Sequence, residues 1–236
     1  MSDGEVQLSP LSLLRQQNWL SPTFPTGSYS YSHAIEWAVE ARHIHDRISL
    51  VDWLEADLRY GSGRNEAIFF MEAWRCAVNE DCARLIEIAE LATAYRSTSE
   101  FALETSQQAA ACLTTLCRVW PDIFIERVAT LLSEKKIAPV LSVVLGVRAS
   151  REAIPAPLAL PAFLQSCISN LVTAAVRLVP LGQTDGQLAI AELEPAVVAV
   201  AEKSQQANIH DLGSAAFMVD LASASHETQY TRLFRS

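Results

Sequence analysis

The chain has 236 residues, of which half are hydrophobic and only 19% charged, so it can bury a sizeable core and is no disordered polymer. Its formal net charge of −9, with no basic run longer than Lys135-Lys136, argues against nucleic acid as a partner, because phosphate recognition would need a concentrated basic patch. The acidic opening Met1-Ser2-Asp3-Gly4-Glu5 lacks the basic-then-apolar pattern of a secretory leader. Five cysteines form no CxxC pair, which fits reduced, mostly buried thiols in a cytoplasmic protein.

In chain order, residues 1–10 are expected to form a flexible lead. Pro22 and Pro25 then stiffen an entry into a helix, and Gly27 supplies a turn that other residues resist. Ile48, Val51, Leu54 and Leu58 recur at helical spacing on one face, with Ser49 as a possible cap. After the break Gly61-Ser62-Gly63, a second stripe carries Ile68, Met71 and Trp74, with Phe69 and Phe70 beside it. Asn79 or Asp81 starts the helix that bears Leu85, Ile88, Leu91 and Ala92.

Ser97-Thr98-Ser99-Glu100 reads as a capping box in which Ser97 accepts from an exposed amide and Glu100 reaches back. The helix it opens runs to about Arg118 and ends at Trp120-Pro121. Further helices fit roughly 122–134, 138–150, 157–178, 188–201 and 212–227, with Asp185-Gly186 as a turn. The most apolar stretch, Ile137 to Val147, is too short to cross a bilayer. No alternating β-branched run, repeat or long linker interrupts the pattern. The expectation is all-α: a single-domain helical bundle of roughly nine to eleven helices over 11–228, followed by a tail at 229–236.

Little in the chain suggests catalysis. There is no GxSxG, no HExxH, and no glycine-rich phosphate cradle. His43 and His45 would diverge by about 200° on a helix, so they could chelate together only in an extended turn. Glu40 and His43 have Glu-x-x-His spacing, but no second pair completes a bundle metal site. Cys112 and Cys117, five apart, are off register for a helical clip and read as packing residues. Arg177, in an otherwise apolar helix, is expected to pair with a carboxylate.

Two segments are more informative. Trp19 to Glu36 combines stiff prolines with Tyr29, Tyr31 and serine hydroxyls at a helix start, as an ornate cap or a rigid surface for a partner protein. His226 to Ser236 is locally basic and ends in Tyr230, Arg232, Leu233, Phe234 and Arg235, residue types that anchor interfaces, as a frayed terminus or a docking tail.

Phe24-Pro25-Thr26-Gly27-Ser28-Tyr29-Ser30-Tyr31-Ser32-His33-Ala34-Ile35-Glu36, the segment Ala175 to Gln183 with its Pro180-Leu181-Gly182-Gln183 turn, and the ending Arg232-Leu233-Phe234-Arg235-Ser236 resemble, in the same order, three motifs of the UreF family of urease accessory proteins. Ala34 stands where that family commonly has glycine, and Ser106-Gln107-Gln108-Ala109 where many relatives have an arginine and a glycine.

The resemblance implies an all-helical, homodimeric, non-catalytic scaffold or regulator without a cofactor or resident metal. Its partners would be a UreD/UreH-type scaffold protein, a UreG-type GTPase and apo-urease, into which nickel is inserted. On that reading Tyr29, Tyr31, His33 and Glu36 lie on or just beneath the surface offered to the GTPase, and Tyr230, Arg232, Leu233, Phe234 and Arg235 form the tail that meets the scaffold. A direct nickel metallochaperone using His33, His43 or His45 is the alternative.

Overall fold

A computed structural model describes residues 8–236; residues 1–7, most of the expected flexible lead, lie outside the described residues. Eleven α-helices and two short 3-10 turns make up the described chain, and no strand occurs among the described residues. The helices are α1 Pro10–Trp19, α2 Ile35–Glu40, α3 Arg47–Tyr60, α4 Ser62–Val78, α5 Cys82–Ala94 and α6 Ser99–Val119. They continue as α7 Ile123–Glu134, α8 Leu141–Arg151, α9 Ala156–Leu178, α10 Gln183–Gln206 and α11 Phe217–His226. The all-α expectation therefore holds.

α4 is the central element: Ala67 to Met71 are buried in succession, and no residue from Ser62 to Ala77 is exposed. Phe70 and Met71 enter one core with α3, α6, α8, α9 and α10, while Phe69 and Ala73 enter a second core with α5, α7 and α8. The closest packing is α4 on α8. Gly146 makes it possible: a Cβ there would stand 2.4 Å from the Phe70 carbonyl oxygen, so only glycine lets the two backbones approach. α9 is long and apolar enough in composition to cross a membrane, but Leu160, Phe163, Leu164 and Ile168 lie buried in the main core. It is a core helix.

Several local expectations are corrected. α3 is capped by Asp46, whose carboxylate takes the Ser49 N–H at 2.8 Å, and Ser49 is the reciprocal third residue of that box. Ile48, expected on the buried stripe, is 64% exposed. α6 is capped by Thr98, not Ser97, and Glu100 does not reach back to the cap because its carboxylate is engaged elsewhere. Asp185-Gly186 is no turn but the first turn of α10. Asp185 accepts the Gly182 N–H at 3.2 Å, and Gly186 lets α10 start close to α9, since a Cβ there would meet Val176 at 3.0 Å.

At the other end of the bundle, α1 is fastened to the core through a buried cation. Arg148 is 2% exposed, lies over the rings of Trp19 and Trp120, donates to the Trp120 carbonyl at 2.9 Å and pairs with Glu152, which also takes Arg15. Burial, then the nearby charge of Arg15, pull the Arg148 pKa down to about 10. At neutral pH it is still charged.

Candidate functional site

The two segments singled out in the sequence meet in space. The C-terminal residues fold back onto the entry to α2, where the Arg235 N–H donates to the Ser30 carbonyl at 2.9 Å and the Ser32 N–H to the Ser236 carbonyl at 2.8 Å. Phe234 and Ser236 are buried, whereas Leu233 is 66% exposed and Tyr230 projects fully into solvent. The tail is thus half anchor and half surface.

The anchor is built from charge. Glu36, in the first turn of α2 and buried, accepts the Leu233 N–H at 2.6 Å and the Phe234 N–H at 2.9 Å. His226, fully buried at the end of α11, lies between Glu36 at 3.2 Å and Glu100 at 2.7 Å. Glu100 also takes Arg232 at 2.7 Å. Buried carboxylates persist only with such partners, and here the partners are the tail itself. Removing any one of them leaves an uncompensated charge in the interior.

Arg177 closes the other flank. Its guanidinium carbon lies 3.8 Å from the Tyr29 ring centroid and 4.2 Å from that of Phe234, and it donates to the Tyr29 carbonyl at 2.8 Å. Among the described residues no carboxylate pairs with it; the expected ion pair is replaced by two aromatic faces and a carbonyl, which a planar guanidinium suits.

Beneath this anchor lies a cavity of about 470 Å³, polar on the side of His33, Asp57, Glu66 and Glu104 and apolar on the side of Leu145, Phe163 and Ile168. His33 stacks on Phe101 with ring centroids 4.0 Å apart, and its two nitrogens face Glu104 at 3.4 Å and the Ser62 hydroxyl at 3.0 Å. Burial alone would lower the His33 pKa, but the charge and hydrogen bond of Glu104, with Asp57 and Glu66 adding, raise it to about 9. Burial would raise Glu104, but His33, the Ser236 hydroxyl at 2.6 Å and Arg96 hold it below the usual carboxylate range.

Ser62, His33 and Glu104 line up as nucleophile, base and orienting acid would. The proton inventory opposes that role. An imidazole with a pKa near 9 is already protonated at neutral pH and cannot take the hydroxyl proton, and Ser62 donates that proton to Asp57 at 2.8 Å. The cluster is a satisfied ion-pair network.

Of the residues proposed from sequence, Tyr29, Tyr230, Arg232, Leu233 and Arg235 are solvent-facing or partly so, while Tyr31, Glu36 and Phe234 are buried and His33 is largely so. Tyr31 hydrogen-bonds Gln107, which is itself exposed, and the buried Gln108 donates to Glu104 at 3.4 Å, so of the two glutamines that depart from the family pattern only the second belongs to this interior. His43 and His45 are not brought together: His43 packs between Trp37 and Trp53, and His45 pairs with Asp46 at 3.7 Å. Glu40 ends α2 and His43 lies beyond it, so the Glu-x-x-His spacing does not fall within one helix. Cys112 is buried and Cys117 half-buried, and burial pushes both thiols up.

Sequence reasoning missed Glu100, Glu104 and His226 as a unit. The available signal was the Glu100, Glu104, Gln108 series, spaced at i, i+4 and i+8 along an otherwise alanine-rich helix and therefore on one face.

Residues 44–194 match the family model described as UreF. A protein of Rhodopseudomonas palustris strain BisB5 named as urease accessory protein UreF is 44% identical over 95% of this chain and 91% of its own length. The namesake from strain TIE-1 is 43% identical over 100% and 99% of the two lengths. That of Bradyrhizobium diazoefficiens is 44% identical over 95% and 92%. Nearly the whole chain is covered at this level, and the chain belongs to the UreF family of urease accessory proteins.

Proposed function

We propose that this chain is a non-catalytic scaffold and regulator of urease maturation, working in the cytoplasm as a homodimer. It bridges a UreD/UreH-type scaffold protein and a UreG-type GTPase while nickel, the cargo, is inserted into apo-urease. The observation that carries the reading is the tail. A buried charge network fixes the backbone of residues 232–236 and leaves the Tyr230 and Leu233 side chains in solvent, with Phe217, Met218 and Leu221 of neighbouring α11 also exposed. Aromatic and aliphatic side chains held on a rigid base lose little entropy on docking, which is what an interface anchor requires. Five unpaired cysteines suit a reducing compartment.

On this reading the scaffold protein meets the tail from outside. Glu36, Tyr31 and His33 act from beneath, by holding the tail and the 3-10 turn at Ser28–Ser30 in place. Tyr29, 69% exposed beside Arg177, is the residue of the entry segment that a GTPase could touch directly.

The test is co-expression with the candidate scaffold and GTPase followed by size-exclusion chromatography. Tyr230→Ala with Leu233→Ala removes two exposed side chains without touching the anchor. It should cost the scaffold complex while the thermal melt and the dimer stay unchanged. Undiminished co-elution of the scaffold would overturn the proposal.

A further inference from the structure

A hollow of about 660 Å³ opens where α3 ends, α4 begins and α10 ends, closed by the segment before α11. Three cations line it, Arg59, Arg64 and Lys203, against one carboxylate, Asp211, which is engaged by the Asn208 N–H at 2.9 Å. In a chain of net charge −9 such a local excess calls for a reason. Two of the three cations have an ordinary one. Arg59 lies in the last turn of α3 and pairs with Glu55 at 2.6 Å, and Lys203 lies in the last turn of α10, where a cation offsets the negative end of the helix.

Arg64 has none. It stands in the first turn of α4, where the helix dipole disfavours a cation. Among the described residues it is the one arginine that is half-buried yet has neither a carboxylate nor a carbonyl on its side chain. Arg64 is only half-buried and none of its nitrogens is sealed from water, so an incoming anion would exchange hydration for charge-assisted hydrogen bonds that the protein itself does not supply.

We propose that this hollow binds a phosphorylated small molecule, with Arg64 and Lys203 on the phosphate. A planar guanidinium fork and a mobile ammonium suit phosphate oxygens. The remaining wall, Val200, Ala207, Ala215 and the exposed ring of Tyr60, gives a carbon skeleton or a base something to lie against. The site is independent of the partner-binding reading.

The experiment is calorimetric titration of the purified full chain with inorganic phosphate, with a nucleoside monophosphate, and with the same nucleoside lacking its phosphate. Saturable binding of phosphate is expected, weakened about tenfold or more by Arg64→Gln, equivalent to about 1.4 kcal/mol. Tighter binding of the nucleotide would place its carrier in the hollow, and equal affinity would assign the site to the free ion. The nucleoside alone should not bind. Lys203→Gln, on the exposed end of α10, gives a second reading if Arg64→Gln fails to fold, and replacing Lys135 and Lys136 together should change nothing. No saturable uptake of either phosphate ligand, or affinity untouched by the hollow's variants, would each overturn the proposal.

Discussion

The packing of α4 on α8 and the network of Glu36, Glu100 and His226 that anchors the C-terminal tail are both buried, and they are held by opposite means. Between α4 and α8 the chain brings backbone against backbone, with Phe69 and Phe70 serving two cores and Gly146 providing the clearance. Nothing there can let go without opening the bundle. At the tail, burial is charge on charge: Glu36, Glu100, His226 and Arg232 satisfy one another across residues more than a hundred apart in sequence. A terminal segment so held can leave as a unit while the bundle persists. The lesson is that equal burial does not mean equal coupling to global stability.

Substitution can break that contrast most forcefully at Gly146. Gly146→Ala would force a methyl to within 2.4 Å of the Phe70 carbonyl oxygen, a clash with backbone that no rotamer change relieves. The expected loss is about 3 kcal/mol or more in urea unfolding. A loss under about 1 kcal/mol would mean that α4 and α8 can slide apart cheaply.

Glu100→Gln is the counterpart at the tail. It keeps the shape but leaves Arg232 and His226 without their shared carboxylate, a local cost of about 3 kcal/mol if the tail had to stay in place. Because the tail can undock, the global melt should fall less than for Gly146→Ala. The Leu233 and Phe234 amides should lose hydrogen-exchange protection well before the α4 amides do. Simultaneous loss of both would show the tail to be welded to the core after all.

How much of this was legible in the sequence follows the same division. Periodicity places the helices and most of their buried faces, because burial of Leu54, Leu58, Ile68 or Leu85 is decided by neighbours three and four residues away. The turn expected at Asp185-Gly186 went astray because the glycine serves close approach to Val176, a long-range reason. From the sequence Glu100 reads as a capping residue because capping is local. Its actual partners come from α11 and the tail, and no spacing rule reports on contacts of that range. The two end segments were recognisable as chemically unusual, but that they are one site is a fact of topology. The family resemblance bridges that gap in identity, not in geometry.

The His33–Glu104 pair, beneath the tail, gives a smaller and pH-dependent contrast. The His33 pKa is raised from an ordinary 6.5 to about 9, so the fold binds the protonated ring more tightly than the unfolded chain does. That stabilisation is fully present below about pH 6.5 and is lost as pH climbs through about 9. Glu104 works the other way, and its contribution is lost in acid. Between pH 6.5 and 9.5 the protein should lose roughly 1–3 kcal/mol, or several degrees of Tm. His33→Gln should flatten that alkaline limb, and an unchanged slope would remove His33 from the account.

The smallest expected effect, and the sharpest comparison, is at Ala34. His33 and Ala34 form a consecutive left-handed pair, with φ of 53° and 65°, and Ala34 is buried against Phe101, Val219 and Ala222. Left-handed backbone costs a non-glycine residue about 1–2 kcal/mol, so Ala34→Gly should recover roughly that amount. Against it stand about 0.8 kcal/mol for the lost methyl and about 0.4–1 kcal/mol for a freer unfolded chain, which leaves a net change near zero. Ala73→Gly, equally buried but inside α4, has no strain to release and should cost about 2 kcal/mol from lost burial and helix propensity together. The difference between the two variants isolates the backbone term. If Ala34→Gly proves as damaging as Ala73→Gly, the left-handed geometry at the entry to α2 carries no strain, and the side chain is there for packing alone.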